Sequence, residues 1–227
     1  MSVAAESSSR GVQVKASSLK GGVVSTTSSV VGPKNPRREE LFGIAAELFW
    51  DKGYHATSMS DVAEAMGIRK ASVYHHVRSK ETLLYEMSVE SMHHMIDAAT
   101  SAGGSDPVEH LRAIIVRHIG ALLDDRDKHA TALVELRSLS TEERQHITDL
   151  RSRYDRLIDE AVRQVQGTEG MWPTIPTRLV RLGLLGMLNW VVFWYSPAGR
   201  ETPDEIGDAF AQMLLGAARG RDGSPTP

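Results

Sequence analysis

Apolar residues recur at helical spacing from Leu41 almost to the C-terminus. Leu41, Ile44, Ala45, Leu48 and Phe49 share one face of a first helix, with Pro36 suited to its first turn and Gly53 to its stop. Val62, Ala63 and Met66 give a short second helix one apolar face. Thr57 or Ser58 is a natural N-cap for it, Asp61 suits its first turn, and Gly67 its left-handed end. A third helix starts near Lys70, fronted by Ala71 and Ser72 and carrying Tyr74, His75 and His76. Ser79 caps a long helix along which Leu83, Leu84, Met87, Met92, Met95, Ile96 and Ala99 run, closed by Gly103 and Gly104. Asp106 and Pro107 start the next, whose period puts His118 on the apolar face with Ile114, Ile115 and Leu122. Asp125 to Asp127 break it, and a short helix passes through Leu133, Val134 and Leu136. Thr141 opens a long helix, with Arg144 where a capping box would carry Glu or Gln. Residues 167–176 read as a loop.

From Pro176 to Tyr195 the chain is apolar almost all round beyond Arg181, which predicts burial on several sides. Gly183 and Gly186 allow close helix approach there. Thr202 caps a last helix, with Pro203 at its first position and Ile206, Phe210, Met213 and Leu214 along it. No strand-like alternation and no internal repeat stand out. The fold class is therefore all-α, with about nine helices. Residues 1–36 lack any period, are rich in Ser and Gly, and read as a disordered arm that is either a solvated tail or a basic strand along a nucleic acid. The tail is 220–227.

Charge narrows the function. The 227 residues carry a net charge of −3, so any nucleic-acid surface must be a local patch. Gly67 to Lys80 is such a patch: Arg69, Lys70, Arg78 and Lys80 without one carboxylate. Two helices joined at a Gly, the second basic and fronted by small residues, form the helix-turn-helix pattern. Arg69 and Lys70 suit guanine edges in a major groove. Tyr74 and His75 either touch the nucleic acid or pack against neighbouring helices; His76 packs or caps.

Other chemistry is sparse. With no Cys there are no disulfides or thiolate metal sites. His93, His94 and His129 lack a second ligand set, so neither a metal nor a cofactor is expected. No nucleophile elbow, phosphate-cradling Gly loop or His-Glu-x-x-His motif points to an enzyme; a small helical thioester hydrolase is the competing class, and a DNA-binding protein without a ligand is a third. The longest uncharged apolar run, residues 182–197, is too short to span a membrane, and no secretory signal precedes the arm, so a cytoplasmic protein is expected.

Residues 37–88 resemble the TetR family of bacterial transcriptional repressors. The resemblance lies in Gly-Tyr-His-Ala-Thr-Ser-Met-Ser-Asp-Val-Ala-Glu-Ala-Met-Gly-Ile and in Ala-Ser-Val-Tyr-His-His-Val-Arg-Ser-Lys-Glu-Thr-Leu-Leu. It implies a DNA-binding domain over 37–80, a ligand-binding and dimerisation domain over 81–219, a homodimer on a palindromic double-stranded operator, and release by a small-molecule inducer. It assigns Thr57, Ser58 and Lys80 to phosphates, Arg69, Lys70, Ala71 and Ser72 to bases, and Tyr74 and His75 to backbone or bases. Val77 stands where many members carry Phe. The run Asn189-Trp-Val-Val-Phe-Trp-Tyr195-Ser-Pro-Ala-Gly, with Thr-Pro-Asp-Glu-Ile after it, resembles members that sense acyl-CoA thioesters. Pocket candidates are Met92, Met95, His118, Leu122, Arg137, Tyr154, Trp190 and Trp194, each with a core or surface alternative. Candidates for the dimer face are Leu184, Met187, Val191, Phe210, Met213 and Leu214.

Overall fold

In a computed structural model, residues 36–216 are described. Every regular element among them is helical. The elements are α1 (Pro36–Asp51), α2 (Met59–Ala65), α3 (Lys70–Val73), α4 (Lys80–Thr100), α5 (Pro107–Asp124), α6 (Arg126–Val134), α7 (Thr141–Glu169), α8 (Thr177–Asn189), α9 (Val191–Trp194) and α10 (Pro203–Ala211). A 3-10 turn (Leu136–Ser138) follows α6, and a π turn (Gln212–Gly216) extends α10. The expected arm and the tail lie outside the described residues, apart from Pro36, which opens α1.

One continuous core joins α1–α3 to the rest. Leu41, Phe42, Ala45 and Phe49 of α1 are buried with Val62 of α2, Val73 of α3, and Leu83 and Leu84 of α4. The sequence predicts these stripes because burying them removes apolar surface from water. α2 has a full capping box: Asp61 N–H donates to Ser58 Oγ (3.2 Å) and Ser58 N–H to Asp61 Oδ2 (2.6 Å). That choice leaves Thr57 free to turn inward. Gly67 has φ +65°, as a left-handed stop requires. At Gly104 (φ +148°) an added Cβ would lie 2.3 Å from the His110 backbone N, so only Gly lets the loop after α4 pass this close to α5.

Four boundaries differ from the sequence expectation. The third helix is brief: beyond Val73 the chain tightens into i→i−3 bonds, His75 N–H to Ser72 O (3.2 Å) and His76 N–H to Val73 O (2.9 Å). α6 begins at Arg126, directly after Asp125. α7 is capped one residue earlier than Thr141, by Ser140 with Glu143 closing a complete capping box. It also runs through Gly167 to Glu169, because the left-handed stop is Gly170 (φ +62°).

α8 and α9 are not buried on several sides. Arg181 turns inward to Asp155 (2.6 Å) and Asp159 (2.9 Å), and Leu184 and Leu188 fill the core. Leu179, Leu182, Trp190, Phe193 and Trp194 stay exposed. No further element among the described residues lies over that stripe.

Candidate functional site

The cationic patch sits on the outer edge of α3. Arg69, Lys70, Ala71 and His75 are exposed, Ser72 is half-buried, and Tyr74 is 45% exposed. No ion pair engages Arg69, Lys70 or Arg78 among the described residues. The inward side of the same segment is held by Val73 and Val77. Tyr74 and His75 therefore point to solvent instead of packing, and His76 is half-buried.

Two expected phosphate ligands are employed otherwise. Thr57 is 1% exposed, and its hydroxyl donates within reach of Leu48 O (3.1 Å) and Gly53 O (3.0 Å). Both carbonyls also accept backbone N–H groups, from Lys52 to Leu48 O (3.0 Å) and from Thr57 to Gly53 O (3.2 Å), so the hydroxyl adds a further donor at the turn after α1 and is turned away from solvent. Lys80 Nζ donates to Tyr54 O (2.8 Å) and Thr57 O (3.0 Å), and lies 4.3 Å from the Tyr54 ring centre. Two of its three donors thus brace the α1–α2 turn against the start of α4. Beneath it, burial foremost pushes the Tyr54 phenol up to about 12.

The second feature is a cavity of about 210 Å³ among α4, α5, α6, α7 and α8. Of the sequence candidates, Met92, Met95, His118, Leu122 and Tyr154 line it. Arg137 does not: it is exposed on the 3-10 turn. Trp190 and Trp194 do not either, being 62% and 49% exposed. Their helix turns its apolar stripe outward, and Asn189 and Leu185 reach the cavity instead.

The cation of the cavity is Arg151. It bonds Ala132 O (3.0 Å), pairs with no carboxylate among the described residues, and is lowered from its ordinary pKa by burial. Arg151, Ser88, Ser91, His129 and Asp155 were not legible as lining residues. For Arg151 a signal existed, since it falls four residues after Ile147 and three before Tyr154 on the same face of α7.

Two buried imidazoles mark the interior. His118 Nδ1 meets Tyr154 Oη at 2.6 Å. His129 Nδ1 meets Ser91 Oγ in a short contact. Burial lowers His118 to about 4 and His129 to about 3, so both rings are neutral at physiological pH. The described residues contain no group of three or more His, Asp or Glu that could hold a metal.

Links join the helices of this cavity to α1. α6, which carries His129, also carries Arg126, whose Nε–H donates to Val192 O (2.8 Å) and whose guanidinium lies 5.3 Å from the Trp50 ring at the end of α1. Trp50 in turn lies 5.8 Å from Phe193. Arg38 of α1 pairs with Glu86 (3.1 Å) and Glu90 (3.9 Å) of α4, and Glu90 pairs with buried Lys128 of α6 (3.3 Å).

The dimer-face candidates divide. Leu184 and Val191 are buried within the protomer and cannot form an outer face. Met187, Phe210 and Leu214 are half-buried, and Met213 is 52% exposed. The stripe left open on α8 is Leu179, Leu182, Gly183, Gly186 and Trp190, spaced by 3, 1, 3 and 4. An added Cβ on either glycine would meet nothing within 4 Å. No helix among the described residues is long and apolar enough to cross a membrane.

Two family models match the chain. Residues 43–87 match the family model of bacterial regulatory proteins, tetR family, and residues 104–218 match the tetracyclin repressor-like C-terminal domain. The HTH-type transcriptional repressor KstR2 of Mycolicibacterium smegmatis is 28% identical over 198 residues, covering 81% of this chain and 92% of that protein. The crystal structure of the TetR-family regulator PfmR from Thermus thermophilus matches with a TM-score of 0.72 and 33% identity, covering 81% and 99% of the two chains. AibR in complex with isovaleryl coenzyme A and operator DNA matches with a TM-score of 0.66 and 28% identity, covering 79% and 98%.

Proposed function

The chain belongs to the TetR family of bacterial regulatory proteins, and from that premise we propose that it is a cytoplasmic repressor that binds a near-palindromic operator as a dimer and lets go when an acyl-CoA-type inducer fills its cavity. The exposed, carboxylate-free edge Arg69–His75 carries the DNA reading. Arg69 and Lys70 would face base edges, Ala71 and Ser72 permit close approach, and Tyr74 and Ser58 would reach phosphates. One such module binds weakly, so two copies related by a two-fold axis would be needed. The bare α8 stripe, with Phe193 beside Trp190, is the surface we assign to the second copy.

The cavity is smaller than the roughly 300–1,000 Å³ of drug-sized pockets. It suits a short or compact acyl group, with the nucleotide outside and Arg151 near the mouth. The relative bound to isovaleryl coenzyme A and operator DNA supports this class of effector. Release is then a population shift: a ligand favouring one spacing of the two reading edges lowers DNA affinity by linkage. α6 is the lever we favour beside α4, because it lines the cavity and also holds the end of α1 through Arg126 and Trp50.

A gel-shift titration with intergenic DNA carrying a near-palindrome, repeated with short-chain acyl-CoAs, tests this reading. Retarded DNA released by an acyl-CoA is expected. DNA binding that no acyl-CoA alters would overturn the inducer part. Hydrolysis of the thioester by the purified chain would instead favour an enzyme.

A further inference from the structure

The cavity is graded in polarity. Its walls are Met92, Met95, Leu122, Leu133, Ile147 and Leu185. Arg151 and Asp155 are half-buried, whereas His118 and His129 are 2% and 3% exposed and mark the deep end. Both rings line the cavity, and both Nε2 atoms are buried without a hydrogen-bond partner. The one other buried orphan on α6, the Thr131 hydroxyl, does not line it.

We assign the tautomers from the hydroxyls, each of which has one hydrogen-bond partner among the described residues. A phenol is a better proton donor than acceptor, and Tyr154 Oη has no other hydrogen bond than His118 Nδ1. Ser91 Oγ likewise bonds only His129 Nδ1. With each hydroxyl donating, each Nδ1 accepts and each Nε2 carries its ring proton. The cavity therefore presents two neutral N–H donors; the Asn189 side chain interacts with His118, but neither Nε2 has an acceptor within hydrogen-bond geometry among the described residues. Leaving a buried donor unpaired costs about 1–3 kcal/mol, whereas Leu or Phe would fill the same space at no such cost.

We propose that His118 and His129 are specificity-determining donors that together hold a carbonyl oxygen of the ligand at the deep end of the cavity. This rests on the reading of the cavity as the effector site. A carbonyl oxygen has two lone pairs and no proton, so it takes both donors. A saturated hydrocarbon end leaves both unpaired. A hydroxyl brings a proton that needs a further acceptor. A carboxylate would bring a charge among neutral donors in a buried site. The ligand class is thus a compact apolar body carrying an oxo group, not a plain saturated chain.

Two probes that differ by one oxygen test this: 1-indanone and indane, titrated into the full-length protein by calorimetry. The wild type is expected to bind the ketone roughly tenfold or more tightly than the hydrocarbon. A His118→Leu/His129→Leu variant should invert the preference. In case that variant does not fold, long-range proton–nitrogen NMR of the ligand-free wild type should show Nδ1 unprotonated in both rings. Equal binding of the two probes by the wild type, or a proton on Nδ1 of both rings, overturns the proposal while leaving the effector cavity standing. No binding of either probe or of any acyl-CoA overturns both.

Discussion

Lowering the pH from 7 to 5 should weaken the fold through two specific rings. His118 and His129 titrate near 4 and near 3 in the folded chain because burial opposes their charged forms, against an ordinary value of 6.5. A folded pKa below the unfolded one gives stability that is fully present above pH 6.5 and is lost as pH falls toward 4 for His118 and 3 for His129. At pH 5 the unfolded chain has bound nearly one proton on each ring, and the folded chain almost none. The 1.5 units between 6.5 and 5, at about 1.4 kcal/mol per unit, give about 2 kcal/mol per ring and about 4 kcal/mol for the pair. That is a large share of the roughly 5–15 kcal/mol that holds a protein folded.

The assay is urea unfolding at pH 7, 6 and 5, all at one protein concentration. The wild type is compared with His118→Gln/His129→Gln. Carboxylates such as Asp61 and Glu205, which hydrogen bonds lower, titrate alike in both proteins and cancel. The wild type should lose about 4 kcal/mol more than the variant between pH 7 and pH 5. Parallel pH profiles would refute the reasoning.

Three further outcomes follow from the same structure. Arg69→Ala or Lys70→Ala should each weaken operator binding by about 1–3 kcal/mol in a gel shift while leaving the melting temperature unchanged, since both side chains are exposed and unpaired. Lys80→Met should lower stability by about 2–3 kcal/mol in urea, because Tyr54 O and Thr57 O lose charge-assisted bonds; a change only in the salt dependence of DNA binding would instead restore Lys80 as a phosphate ligand. Leu182→Asp with Gly186→Asp should yield monomers in analytical ultracentrifugation with native helical content, and a persisting dimer would put the interface elsewhere.

Much of this was legible in the chain. The apolar periods of α1, α4 and α5 placed Leu41, Leu83 and Ile115 in the core, and the charge count isolated Arg69 and Lys70 as the exposed cationic edge. Hydrophobic period also put His118, Met95 and Tyr154 on inward faces, where the cavity now lies. What it could not do was separate inward from outward on α8 and α9, where nearly every residue is apolar. Leu184 and Val191 go in, while Leu182 and Trp190 stay out, and periodicity has no contrast there to read.

The sequence by itself determined the helices, the turn at Gly67 and the exposed cationic edge, because these depend on residues within a few positions of one another. Tertiary structure alone decided the partners of polar groups far apart in the chain. Thr57 and Lys80 look like DNA ligands in the sequence, yet their donors meet carbonyls at the end of α1 and in the α1–α2 turn. Arg181, on the face of α8 beside Leu184, spends its charge on Asp155 and Asp159, whereas Arg151 forms no close ion pair among the described residues and lines the cavity. A buried donor takes whichever acceptor the packing brings within about 3 Å, and that neighbour is set by how the helices cross.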